Sequence, residues 1–81
     1  MNILYFAWLR ERIGQRQEQM TPIATTVGAL IDELSARSAG HASAFADRAA
    51  IRAAVDQELV DLDASIIGAR EIAFFPPMTG G

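Results

Sequence analysis

Two short apolar runs, one near each end of the chain, restrict the fold more than any other feature. Ile3-Leu4-Tyr5-Phe6 opens the sequence, and Ile72-Ala73-Phe74-Phe75 comes close to ending it. Both are rich in branched and aromatic side chains, which fit pleated backbone against a core. The first run has no polar alternation and reads as a strand covered on both faces, placed inside a sheet rather than at its rim. The first and last strands are therefore expected side by side at the sheet centre. Strand parity sets Ile3 and Tyr5 against Leu4 and Phe6, and Ile72 and Phe74 against Ala73 and Phe75.

The chain between these runs divides into short pieces. Trp8 to Ile13 mixes apolar and charged residues and predicts a turn or short helix, with Gly14 as its C-cap or turn residue. Gln15 to Met20 is polar up to Thr21 and Pro22, which suits an exposed edge strand paired with the first. Thr26 reads as the N-cap of a helix from Val27 to about Arg37. There Val27, Leu30, Ile31 and Leu34 share one face, while Asp32, Glu33 and Arg37 point outward. Gly28 weakens the first turn but permits close packing, and Gly40 is the expected terminator. His41 to Ala50 reads as a loop with at most one helical turn and a solvated histidine. Ile51 to Val55 and Glu58 to Leu62 predict a hairpin about Asp56-Gln57. Asp61 and Asp63 read as solvated turn carboxylates, and Ser65 to Arg70 as a connection into the last strand.

This order, β-β-α-β-β-β, predicts an α+β domain: a mixed four- to five-stranded sheet with one main helix across one face. With the terminal strands in the centre, it is the β-grasp arrangement. The expected division is a domain over residues 1–75 and an extended tail over residues 76–81.

Composition narrows the functions open to such a domain. A chain of 81 residues buries about 60 to 65% of its unfolded surface, so it has one core and little room for machinery. Its formal charge is −3 with no basic stripe, which argues against nucleic acid, whose binding needs phosphate neutralisation. No apolar run approaches the length of about 18 residues that reads as a membrane span. Met1 to Leu9 lacks the leading basic residues of a secretory signal, so the cytoplasm is expected. The sequence contains no cysteine and no lysine. Thiolate metal sites and protein persulfides are thereby excluded, as are lysine-linked polymers of this chain. The single histidine, His41, has no ligand-spaced partner in the sequence, so no metal site is expected.

The remaining information lies in Phe74-Phe75-Pro76-Pro77-Met78-Thr79-Gly80-Gly81. Pro76 and Pro77 lack N–H donors and have fixed φ, so they end the sheet ladder and stiffen the chain leaving it. Six residues at about 3.3 Å each span roughly 20 Å, enough to enter a partner's pocket. Gly80 and Gly81 have no side chains, so a narrow channel can admit them and a reactive group can approach the terminal carbonyl. The arrangement suits delivery of a carboxylate.

On the Phe74-Phe75-Pro76-Pro77 run and the closing Gly80-Gly81, the chain resembles the small, sulfur-carrying subunits of molybdopterin synthases. The resemblance extends to the Thr26-Val27 helix start, Ala53-Ala54-Val55, Leu59-Val60 and the overall length. It departs at Asp56, where an asparagine is expected, and a weaker local turn would follow. The resemblance implies a non-catalytic subunit of a sulfurtransferase complex with no tightly bound cofactor. A partner adenylating enzyme would use ATP to activate the Gly81 carboxylate. A sulfur donor system would convert it to a thiocarboxylate, and the large synthase subunit would use that sulfur on cyclic pyranopterin monophosphate. Parity together with the resemblance places Phe6, Leu59 and Phe75 on the outer sheet face as a partner-binding patch. The alternatives are a thiamine-pathway sulfur carrier, or a ubiquitin-like modifier or interaction module.

Overall fold

The computed structural model describes residues 1–77; Met78, Thr79, Gly80 and Gly81 lie outside the described residues. In chain order the elements are β1 (Asn2–Tyr5), α1 (Ala7–Ile13), β2 (Gln17–Gln19), α2 (Val27–Ser35) and α3 (Ala39–Ala44). A 3-10 turn (Arg48–Ala50), β3 (Arg52–Val55), β4 (Glu58–Val60) and β5 (Glu71–Phe75) follow. The five strands form one sheet in the order β2-β1-β5-β3-β4. β1 and β5 are its parallel centre, with Ile3 beside Ile72 and Tyr5 beside Phe74. The remaining neighbours are antiparallel. This is the β-grasp topology that the two terminal runs predict, and its reason is burial: the most apolar strands take the positions most fully covered.

α2 packs across one face through Val27, Leu30, Ile31 and Leu34, all fully buried. The Thr26 hydroxyl accepts the Ala29 N–H at 3.2 Å, satisfying a first-turn donor. Gly28 donates its N–H to the Leu62 carbonyl at 2.7 Å. A Cβ at Gly28 would lie 3.2 Å from that same oxygen, so the glycine allows the loop after β4 to lie against the helix. Ile3, Tyr5, Ile72 and Phe74 meet α2 from the sheet, and Phe45 stands edge-on to Phe74 with ring centres 5.0 Å apart.

Two expectations are corrected in the middle of the chain. α2 ends at Ser35, and Gly40 is not its terminator but lies within a further helix, α3. There a Cβ would come within 2.6 Å of the Arg12 carbonyl oxygen, so glycine permits the close contact of α3 with the end of α1. The residues from His41 to Ala50 are likewise mostly α3 and a 3-10 turn rather than loop. Ser38 caps α3, its hydroxyl accepting the His41 N–H at 3.1 Å. His41 is not solvated; it retains only 5% of its exposure.

The buried histidine belongs to a polar cluster that joins four elements or their ends. Glu18, on the edge strand β2, points inward with its side chain 7% exposed. One of its carboxylate oxygens accepts the Tyr5 hydroxyl at 2.7 Å and lies 2.7 Å from Nε2 of His41. The other lies 3.2 Å from the Arg37 guanidinium, just beyond α2. Burial by itself raises the Glu18 carboxyl, but hydrogen bonds from His41 and Tyr5, with the Arg37 charge, hold it below the ordinary glutamate value. Tyr5 is pushed far above the ordinary tyrosine value, first by burial and then by its bond to Glu18. The phenol therefore stays a neutral donor.

The hairpin between β3 and β4 turns through Asp56 and Gln57, both at positive φ, 48° and 71°. Positive φ at two central residues gives the turn whose twist matches the strands. The Asp56 carboxylate also accepts the N–H groups of Arg70 and Glu71, each at 3.0 Å, which ties the turn to the start of β5.

Two outcomes test these assignments. Leu34→Ala should lower stability by about 2 to 5 kcal/mol in denaturant unfolding, since it opens a cavity at a fully buried site; a change below about 0.5 kcal/mol would place Leu34 on the wrong helix face. Because the Glu18 carboxyl is lowered in the folded chain, its contribution is present near neutrality and fades as pH falls through and below the ordinary glutamate value. Glu18→Gln should melt at a lower temperature at pH 7 and show a shallower acid decline than the parent. Equal acid slopes would show that Glu18 contributes nothing.

Candidate functional site: the outer sheet face and the exit of the tail

The helices cover one face of the sheet and leave the other open. On the open face, strand register builds a row from Leu4 on β1 through Ala73 on β5 and Ala54 on β3 to Leu59 on β4. Small residues occupy the middle of this row and larger ones its ends. One step further along, Phe75 lies beside Arg52. Phe6 directly follows Tyr5, whose neighbour is Phe74, so it stands level with Phe75 on the same face. The Phe6 N–H donates to the Phe74 carbonyl at 3.1 Å, extending the central ladder by one bond.

Phe6 is 47% exposed and Leu59 67% exposed, while Phe75 is half-buried between its neighbours. The next residue after Phe6, Ala7, takes φ 54°, a left-handed conformation rare for a residue with a Cβ. It turns the chain from β1 into α1 and leaves the Phe6 ring on the open face. Phe6 and Leu59 are large apolar side chains left exposed on the open face. The expected patch of Phe6, Leu59 and Phe75 is thus brought to one face by the sheet.

β5 delivers the chain to this end of the sheet. Pro76 and Pro77 follow Phe75 without strand pairing, both partly exposed, which agrees with their lack of N–H donors. The expected reacting residue Gly81, with Gly80, Thr79 and Met78, lies outside the described residues. Beside the exit, a shallow cleft of about 500 Å³ is lined by Arg48, Ile51, Arg52, Val60, Asp61 and Leu62. Arg48 pairs with Asp32, and the Arg52 guanidinium donates to the Ala49 and Ile51 carbonyls at 3.5 and 3.3 Å. Both guanidinium groups are thus held by partners within the chain, and among the described residues no group of three His, Asp or Glu side chains could hold a metal ion.

Sequence reasoning did not find Arg52 at the tail exit or the Glu18 cluster. The signal for the cluster was present in part: Glu18 shares strand parity with inward-facing residues, between Gln17 and Gln19. What brings it to His41 is the packing of α3, which the sequence did not reveal.

The comparisons agree with this geometry. The model of the ThiS family matches residues 3–81. The chain is 38% identical to the molybdopterin synthase sulfur carrier subunit of Escherichia coli strain K12, covering 100% of this chain and 99% of that protein. It is 35% identical, with the same coverage, to the protein of that name from Haemophilus influenzae. The crystal structure of SAMP1 from Haloferax volcanii superposes with a TM-score of 0.72 at 27% identity, over 100% of this chain and 98% of that one. A central parallel pair ending in a proline-braced tail, an open apolar face and a match over nearly every residue together make this chain a member of the ThiS family.

Proposed function

We propose that the chain is the sulfur carrier subunit of a molybdopterin synthase, with the large subunit as its docking partner. The observation that supports this reading best is the exit of the Phe75-Pro76-Pro77 segment from the central strand directly beside the apolar patch of Phe6 and Leu59. A partner seated on that face receives the tail in one direction. The near full-length likeness to two molybdopterin synthase sulfur carrier subunits selects the pathway.

In this role the chain acts as a tethered co-substrate. The Gly81 carboxylate attacks ATP on a separate adenylating enzyme, forming an acyl-adenylate and releasing pyrophosphate. A sulfur donor system then displaces AMP, leaving a thiocarboxylate. Within the synthase, that sulfur passes to cyclic pyranopterin monophosphate and the glycine carboxylate is regenerated. The acids and cations for these steps belong to the partners; this chain supplies reach, rigidity at the two prolines and the absence of side chains at Gly80 and Gly81.

Phe75→Ala should keep the fold, because the ring lies on the open face, and should weaken association with the large subunit by about 1 to 3 kcal/mol in calorimetry. Unfolding of the variant with normal binding by its folded fraction would make Phe75 a core residue instead. Deleting Gly81 should leave the melting temperature nearly unchanged but abolish dithiolene formation, since the acyl carbon retreats by about 3.3 Å. Adding one residue after Gly81 should be as damaging, because the reacting carbonyl becomes an amide. Both variants are to be compared with the parent in pyrophosphate exchange and in product formation. Normal turnover by either would end the carrier reading.

A further inference from the structure

The polar cluster contains an arrangement that the carrier role does not use. The Ser38 Oγ lies 2.7 Å from Nδ1 of His41, and Nε2 of the same ring lies 2.7 Å from the Glu18 carboxylate. From the geometry we infer that Ser38 is a nucleophilic hydroxyl, with His41 as its base and Glu18 as a positioning residue, open to acylation or phosphonylation by activated electrophiles.

The proton positions follow from the partners. An ionised carboxylate only accepts, so Nε2 of His41 must bear the hydrogen that faces Glu18. In the neutral ring, Nδ1 then presents a lone pair to Ser38, whose hydroxyl donates to it. The same Ser38 oxygen accepts the His41 backbone N–H at 3.1 Å, which fixes the side chain in one rotamer without occupying its proton. Glu18 is held ionised by bonds from Tyr5 and His41 and by Arg37 at 3.2 Å, so it orients the imidazole and stabilises the imidazolium that forms. The Tyr5 ring stands edge-on to the imidazole with centres 6.0 Å apart and limits its tilt. A serine, an imidazole and a carboxylate in sequence are the elements of an activated nucleophile.

Exposure divides the roles. His41 is 5% exposed and the Glu18 side chain 7%, whereas Ser38 is at the surface. The base is shielded from water and the nucleophile is open to it. With no cysteine and no lysine in the chain, no thiol or lysine amine competes for a soft or activated acyl group. In the step itself, Ser38 Oγ bonds to the electrophilic carbon or phosphorus while its proton passes to Nδ1 of His41. The bond to the leaving group breaks with its electron pair, and the proton then moves from Nδ1 to the departing group or to solvent.

The test is to treat the full chain with diisopropyl fluorophosphate and, separately, p-nitrophenyl acetate, and to locate the adduct by peptide mass spectrometry. Ser43 and Ser65, also exposed, are internal references in the same molecule. Ser38 should be modified roughly a hundredfold faster than either reference, the lower range for a positioned general base. Its rate should fall once acid protonates Nδ1, because a protonated Nδ1 can only donate to the Ser38 oxygen. His41→Gln should lose the advantage while Ser38 remains, and Glu18→Gln should reduce it and shift the pH profile. Modification of Ser38 at the rate of Ser43 and Ser65, or a rate indifferent to pH, would overturn the inference, and both readouts use the parent chain and do not depend on the variants folding.

Discussion

The parallel pairing of β1 with β5 is the interaction on which the rest of the molecule depends. It joins the two ends of the sequence, so it closes nearly the whole chain as a loop, and the closure entropy must be met by burial of the paired residues. Ile3, Tyr5, Ile72 and Phe74 meet that requirement on the inner face, where all are buried against α2 and Phe45. The same pairing determines where the chain leaves the domain. Because β5 is central and parallel to β1, its last residue emerges level with Phe6, between strands that hold it on both sides.

The two faces of this one strand therefore have different surroundings. Phe74 turns inward and stacks on Tyr5 with ring centres 6.4 Å apart, while Phe75 turns outward beside Arg52. The inner ring anchors the end of β5 in the core and the outer one lies half-buried on the open face. Pro76 and Pro77 leave the central strand from a defined starting point, and their fixed φ leaves them few accessible backbone states.

The Glu18 cluster is a different solution to a packing problem. β2 is short and polar, with little apolar surface to hold it to the domain. Its inward carboxylate gathers Tyr5, Arg37 and His41, so that an edge strand, the central strand and the α2–α3 corner share one ion. A buried charge is tolerable only with its hydrogen bonds filled, and here both carboxylate oxygens have partners. This arrangement brings Glu18 to the Ser38–His41 pair at the start of α3, from a part of the chain 23 residues away from His41.

Much of this was legible in the residues themselves. The apolar terminal runs, the i, i+3, i+4, i+7 stripe from Val27 to Leu34 and the Thr26 cap state local preferences that packing did not override, so the sheet centre and main helix emerged as expected. Strand parity, read together with the family resemblance, likewise assigned Phe6, Leu59 and Phe75 to the outer face, since alternation is a property of the backbone. The alanine-rich segment from His41 to Ala50 was misread because its helix is short and nearly lacks an apolar stripe; tertiary packing against α1, allowed by Gly40, and against α2 gives it a reason to form. The burial of His41 and Glu18 was illegible for the same cause. Periodicity reports which face of an element turns toward a core, and this sequence determined those faces; which polar groups then meet beneath them was decided by the tertiary structure, since helix position and strand register alone bring distant donors and acceptors within hydrogen-bond reach.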